Sequence, residues 1–388
     1  MSSKVSVCAG VTRTGIIRWP GRGHGDQWLC PGALLYLPGF LLVIPLMSDS
    51  HPLVCRFGAF GDMVLITPLL KQLYLRCGLA CDVVAIGAWN RLLFEQMPYV
   101  RNVFTIDSRS TPYWFNRSQR ELVRTLRQHR HRFVWICETN DKSYRLLARA
   151  GIRRDNNVSQ LDLAAVDGEH YCEEWLCLGN RSPAGFDFPQ TAPQMLDTEL
   201  FVSDDELLQC RDWLQGRGLD AGKPIVCIQA GSKRTTRRGR IDRSSNNKYW
   251  SENNWAAVID DVVARLPAAQ VLLCGVPAEM EMCRAIARQC NRAGSVQSVA
   301  DDLPLRRLLA LLSLAHSCIS VDTGPAHAAA ALNCPLVVLF GKASPARFRP
   351  LSSQSPVQVL TGHADDRRET DIGFISPRQV VAAWVDLA

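Results

Sequence analysis

The feature that most constrains this chain is an alternation that runs through it twice. Short apolar runs that end in turns alternate with longer amphipathic stretches. Beyond Met47, the runs Leu53 to Phe57, Asp82 to Ile86, Val103 to Ile106 and Arg132 to Cys137 read as strands. Met63 to Cys77 and Ser118 to His129 carry helical spacing between them. The period fades over residues 155 to 200, which are richer in Pro, Gly and acids. It restarts with a helix over 203 to 218 and strands at Pro224 to Gln229, Gln270 to Cys274, Cys318 to Val321 and Leu336 to Phe340. The intervening helices are expected over Trp255 to Leu266, Ala278 to Cys290, Leu305 to Ala315 and Pro325 to Leu332.

Strands that alternate with helices build a parallel sheet covered by helices on both faces. Two such series predict an α/β protein of two doubly wound, Rossmann-like domains with a cleft between them. Ligands of such sheets bind beyond the carboxyl ends of the strands. A chain of 388 residues is also long for one core. The expected division is an extension over 1–46, a first domain over 47–202, a second over 203–375 and a closing helix within 376–388.

Apolar residues make up 47% and charged residues 21%, an ordinary globular balance. The fifteen cysteines form no CxxC pairs and no His/Cys ligand spacing, which argues against a zinc site. Cys55, Cys137, Cys227, Cys274 and Cys318 sit inside apolar runs and are expected to act as small buried hydrophobes. With the odd count, this points to a reducing compartment, the cytoplasm. Residues 1–46 do not match the rest: their apolar run, Ala33 to Met47, contains Pro38 and Pro45 and is too short to span a bilayer. The expectation there is a disordered extension, or translation that starts at Met47.

Net charge is +7, and residues 233 to 248 (KRTTRRGRIDRSSNNK) hold seven basic side chains against the single acid Asp242. Such a block is a solvated loop or a phosphate-handling one, since guanidinium groups pair with phosphate oxygens. No aromatic residues interleave with the charges, which disfavours nucleic acid as a partner.

Four segments could carry chemistry. In Ser320-Val-Asp-Thr-Gly-Pro-Ala-His327 a buried strand runs into a helix start. Asp322 or Thr323 is placed to cap that helix, Pro325 suits its first turn, and Gly324 lets an anion approach the free amides. His327 then falls in the first turn. In Phe57-Gly-Ala-Phe-Gly-Asp62, followed by MVLITP, a second strand enters a glycine turn and a helix, but not as GxGxxG. Asp62 there is either a plain helix cap or a carboxylate facing the cleft, able to take a proton. Gln229-Ala-Gly-Ser232 with Lys248-Tyr-Trp250 offers a phosphate-cradling turn and a cation. Gly275-Val-Pro-Ala-Glu279 places a carboxylate where it could accept from sugar or ribose hydroxyls.

In order and spacing, DTGPAH with its AAALNCPLVVLFG continuation, GDMVLITP, QAGS, KYW and GVPAE resemble the motifs of the bacterial lipopolysaccharide heptosyltransferases, glycosyltransferase family nine. The resemblance covers residues 50 to 388. It implies a GT-B fold, ADP-heptose as donor, inversion at the anomeric carbon, and neither metal nor cofactor. It also implies a lipopolysaccharide core or lipid A precursor as acceptor, met at the inner face of the cytoplasmic membrane. Carried over, Asp62 would be the general base; Ser232, Lys248, Glu279, Asp322, Thr323, Gly324 and His327 would hold the donor. Asn140, Asp141 and Lys142 would lie on the acceptor side. The basic 233–248 stretch looks long for the family and would suit a phosphorylated acceptor or an anionic membrane surface. Alternatives on the same fold are a transferase using another nucleotide sugar or acceptor, a nucleotide-sugar epimerase, or a binding protein. An epimerase would leave Asp62 without a role.

Overall fold

The computed structural model describes residues 35–37, 40–42, 50–129, 131, 133–163, 170–190, 197–237, 240–243, 246–363 and 370–387. The expectations for 1–46 lie outside these residues, apart from a backbone hairpin that pairs Leu35–Leu37 with Phe40–Leu42. We number only the strands of the two main sheets. The first sheet contains β1 (Leu53–Cys55), β2 (Cys81–Ile86), β3 (Val100–Ile106), β4 (Val134–Ile136) and β5 (Val158–Ser159). They are parallel, in the order β3-β2-β1-β4-β5. The second contains β6 (Ile225–Gln229), β7 (Gln270–Leu273), β8 (Val296–Ser298), β9 (Ser317–Val321), β10 (Leu336–Phe340) and β11 (Val357–Thr361). These too are parallel, in the order β8-β7-β6-β9-β10-β11.

β6, β9 and β10 are buried at every position, which explains why IVCIQ, SCISV and LVVLF are nearly unbroken apolar runs. All five cysteines expected in strand cores are buried. The strand order reverses beside β1 in one sheet and between β6 and β9 in the other. Crevices therefore open at the ends of the strands that carry the glycine turn and the DTGPAH segment.

Local chemistry adjusts several expected elements. The helix expected over Met63 to Cys77 is two helices, Phe60–Leu65 and Thr67–Cys77, that meet at Ile66. Pro68 has no amide to give to the Val64 carbonyl, and the Thr67 hydroxyl donates to it instead at 2.8 Å. Residues 155 to 200, where the sequence period fades, hold the helix Tyr171–Gly179. Its cap is His170, whose ring Nδ1 accepts from the Cys172 amide at 3.2 Å while Glu173 reaches back to the His170 amide. The C-terminal helix, Pro377–Val385, packs on the helix Glu252–Arg265 and on β10 and β11, within the second domain.

The two domains meet through two helix starts. Phe60–Leu65 from the first lies against Gly324–Ala331 from the second. A Cβ on Gly324 would stand 2.3 Å from Phe60 Cδ1, and one on Gly61 would stand 2.7 Å from His327 Cδ2. Both positions require glycine for this closeness of approach. A second seam flanks the first: Leu200 N donates to Ala331 O at 3.2 Å, and Thr198 Oγ1 to Leu351 O at 2.9 Å. Arg347 pairs with Glu174 at 2.5 Å and lies over the Tyr171 ring.

Replacing Gly324 by Ala should therefore destabilise the fold by about 1–3 kcal/mol, the usual cost of overpacking. Thermal unfolding of G324A and of the G324A/F60A pair checks this. The second change should restore part of the loss, and an unshifted G324A would contradict the contact.

Candidate active site

Asp62 sits in the first turn of Phe60–Leu65 with both carboxylate oxygens engaged. Oδ2 accepts from the Ala59 amide at 2.8 Å, and Oδ1 accepts from Arg56 Nη2 at 3.0 Å. It is a helix cap and still 29% exposed at the side chain, so the two readings of this residue do not exclude each other. Each oxygen keeps a second lone pair for a proton or an approaching hydroxyl.

Arg56 and Glu138 form a layer beneath Asp62 that sequence reasoning did not pick out. Arg56 follows β1, and its Nη1 donates to the Cys137 carbonyl at 3.0 Å. Its guanidinium lies 5.4 Å from the Tyr171 ring centre and 5.2 Å from that of Trp175. Burial works against the Arg56 charge, but Asp62, Tyr171 and Glu138 outweigh it and raise its pKa. Glu138, beyond β4, is nearly fully buried and fully paired. It accepts from the Phe57 amide at 2.7 Å, from Arg109 Nη1 at 2.8 Å and from Ser143 Oγ at 2.8 Å. Two guanidiniums thus alternate with two carboxylates, and the glycine turn before Asp62 is fastened to the neighbouring strand. The available signal was a charged residue at the end of each of two apolar runs, LVCR and VWICE.

Across the cleft, Asp322 follows β9. Its Oδ2 accepts from Lys248 Nζ at 2.7 Å, and the same ammonium donates to the Asp322 main-chain oxygen. The expectation that Asp322 or Thr323 caps the following helix is not met. Thr323 occupies the cap position without a side-chain cap bond, because its hydroxyl donates back to the Val321 carbonyl at 3.2 Å. The amide-rich start of Gly324–Ala331 is therefore uncapped by its own side chains, as an anion-receiving end requires. His327 is buried, with Nε2 4.0 Å from Asp322 Oδ1. Burial lowers its pKa to about 4, against the opposing pull of the Asp322 and Asp62 carboxylates. The ring is neutral near pH 7 and offers a hydrogen bond rather than a charge.

Ser232 lies in the turn after β6, and Glu279 closes the 3-10 turn Pro277–Glu279 that follows β7. The Ser232 amide donates to Thr235 Oγ1 at 2.5 Å, and its hydroxyl accepts from the Arg234 amide at 3.3 Å. Glu279 is buried close beneath two glycines: a Cβ on Gly231 would stand 2.2 Å from its Oε1, and one on Gly275 2.9 Å from its Oε2. Burial raises its pKa, although the Val276 amide donates to it at 3.1 Å. On the first domain, Asn140 caps Asp141–Arg149 by accepting from the Lys142 amide at 2.9 Å, while Asp141 and Lys142 are exposed. Trp250 is a packing residue, buried against Trp255 with its indole donating to Ile375 O at 3.0 Å.

In the basic stretch, Arg238, Gly239, Ser244 and Ser245 lie outside the described residues, as do the side chains of Arg237 and Arg240. Of the others, Arg234 donates to Asn247 Oδ1 at 3.0 Å and Arg243 pairs with Glu252 at 2.7 Å. A cavity of about 610 Å³ opens beside this stretch, lined by Arg243, Asn247, Tyr249, Lys342 and Asp371 among others. Neither Asp62 nor Asp322 lines it. Among the described residues, no group of three or more His, Cys, Asp and Glu is arranged to hold a metal ion, and no helix is long and apolar enough to cross a membrane.

A family model described as glycosyltransferase family 9 (heptosyltransferase) matches residues 149–372, more than half of the chain. The chain belongs to this family. It is therefore a glycosyltransferase. It is 30% identical over 351 residues to lipopolysaccharide heptosyltransferase 3 of Escherichia coli K12, covering 83% of this chain and 94% of that protein. The solved ADP-heptose lipopolysaccharide heptosyltransferase II of E. coli superposes with a TM-score of 0.67 at 22% identity, covering 87% and 98% of the two chains. E. coli heptosyltransferase WaaC with ADP-2-deoxy-2-fluoro heptose does so with a TM-score of 0.63 at 17% identity, covering 87% and 100%. These likenesses establish the two-domain GT-B fold.

The low His327 pKa makes a testable demand. The unfolded chain binds a proton near pH 6.5, and the folded chain does so only near pH 4. The stability this residue contributes is thus complete above 6.5 and is lost as pH falls through that window. Unfolding temperatures measured across the window should fall less steeply for His327→Asn than for the parent. Parallel curves would contradict a buried neutral imidazole.

Proposed function

We propose that this chain transfers heptose from ADP-heptose to a lipopolysaccharide core or lipid A precursor, with inversion and without a metal ion. The donor and acceptor classes follow the names of the relatives, one of them solved with a fluorinated ADP-heptose. The observation that carries the chemistry is the contact of Gly61 with His327, which brings the Asp62 turn and the uncapped helix start to the same point of the cleft.

In this reading the acceptor hydroxyl attacks the anomeric carbon while the bond from that carbon to the diphosphate oxygen breaks. Asp62 takes the hydroxyl proton. The electron pair leaves with ADP, and its charge meets the Gly324–Ala331 amides and Lys248. An ammonium has three donors, and two of those on Lys248 are spent on Asp322, which leaves one for a phosphate oxygen. Such fixed donors supply without reorganisation the charge stabilisation that a metal ion supplies elsewhere. Thr323 and His327 flank the diphosphate, Ser232 lies on the donor side, and Glu279 contacts the ribose or sugar. Asn140, Asp141 and Lys142 border the acceptor. The site of action is the cytoplasmic face of the inner membrane.

Asp62→Ala should lower kcat by about 10²–10⁴, the usual worth of a positioned base, and leave donor affinity within a few fold, because a base acts in the transition state. ADP release with acceptor present gives the rate, and calorimetric titration of ADP-heptose gives the affinity. Parallel loss of both would reduce Asp62 to a structural cap.

A further inference from the structure

The first domain carries an exposed feature that the transfer reaction does not use. After β3 the chain enters a loop and a short 3-10 turn, Tyr113–Phe115, and then the helix Arg117–His129. Trp114 is 74% exposed and Phe115 is 84% exposed, the most solvent-open large apolar side chains among the described residues.

The exposure is built in. Asn116 and Gln119 are buried, and they pin the turn from beneath. Asn116 Oδ1 accepts from the Gln119 amide at 2.9 Å, and Gln119 Nε2 donates to the carbonyls of Ser108 at 2.6 Å and Thr111 at 3.0 Å. Arg120 donates to the Trp114 carbonyl. A turn held this firmly presents its two aromatic side chains outward, whereas Tyr113 packs under Arg149 at 4.8 Å. Exposed apolar surface of this kind marks an interaction site.

The surrounding charge selects the partner. Residues 109 to 129 contain five arginines, at 109, 117, 120, 124 and 127, against the single acid Glu121. Arg117, Arg124 and Arg127 are exposed, and Glu121 is spent on Arg117 at 2.7 Å. Aromatic tips beside a positive helix match the boundary between acyl chains and anionic headgroups, where Trp and Phe enter and arginines meet phosphates. The same loop reaches the candidate active site. Arg109 lies 5.8 Å from the Phe57 ring centre and donates to Glu138, which holds the Phe57 amide beside the Asp62 turn.

We propose that Trp114 and Phe115, with Arg124 and Arg127, seat this protein on an anionic lipid bilayer, with the mouth of the cleft turned toward the membrane surface. The inference rests on the proposed function only in taking the acceptor to be lipid-linked, and its test uses neither donor nor acceptor. The full chain would be floated with vesicles of phosphatidylcholine alone, and with vesicles of equimolar phosphatidylcholine and phosphatidylglycerol. The parent should float with the anionic vesicles only, and less so at high salt. The W114S/F115S and R124Q/R127Q variants should each bind about tenfold more weakly, with unfolding temperatures near that of the parent to show that the fold is intact. A parent that stays with the unbound protein, or variants that float as it does, would overturn the proposal. So would a concentration-dependent dimer that W114S/F115S abolishes in the absence of vesicle binding, which would assign the patch to a second copy of the chain.

Discussion

The contact between two helix starts is the constraint on which the rest depends. Phe60 occupies the space where Gly324 lacks a side chain, and His327 occupies the space where Gly61 lacks one. Two parallel sheets could each present strand ends to solvent without forming a common site. The interlock of small and large residues at this seam fixes their distance, so a carboxylate from one domain and an uncapped helix start from the other share one crevice. Interiors pack too densely for such a seam to slide gradually. Any opening of the cleft would have to part it.

Electrostatics reinforce that geometry. On one side Arg56, Glu138 and Arg109 hold the Asp62 turn. On the other Lys248 is held by Asp322. Each cation has a carboxylate partner, and this attraction offsets the cost of holding the charges in a partly buried crevice. The neutral His327 between them adds a donor and no charge. In the proposed reaction, a phosphate entering this crevice would meet donors already fixed in direction, which would favour an oxyanion whose charge develops during reaction.

Much of this was legible in the sequence because it depends on local pattern. The strands β6, β9 and β10 are apolar on both faces and read as runs, and the glycine turns mark where they end. What was illegible depends on partners distant in the chain. The helix Tyr171–Gly179 begins at a histidine cap, a residue that sequence rules do not favour at that position. The edge strand β11 is only half-buried along its length, so no apolar run announces it. Arg56 and Glu138 are 82 positions apart and acquire meaning only when β1 and β4 pair. Thr323 looked like a cap, yet its hydroxyl turns to the Val321 carbonyl, and the helix start stays open. That departure from local rules falls at the candidate site, where such conflicts are to be expected.

The proposed transfer requires that this crevice receive an adenine nucleotide diphosphate joined to a sugar. The most direct measurement is the stabilisation of the full chain against heat by ADP, UDP, GDP, CDP and ADP-heptose, each without metal and at equal concentration. Stabilisation follows occupancy of the folded state. A shift confined to ADP and ADP-heptose is the predicted result. A larger shift with UDP or GDP would contradict the assignment of the donor, and no shift with any of them would contradict the site.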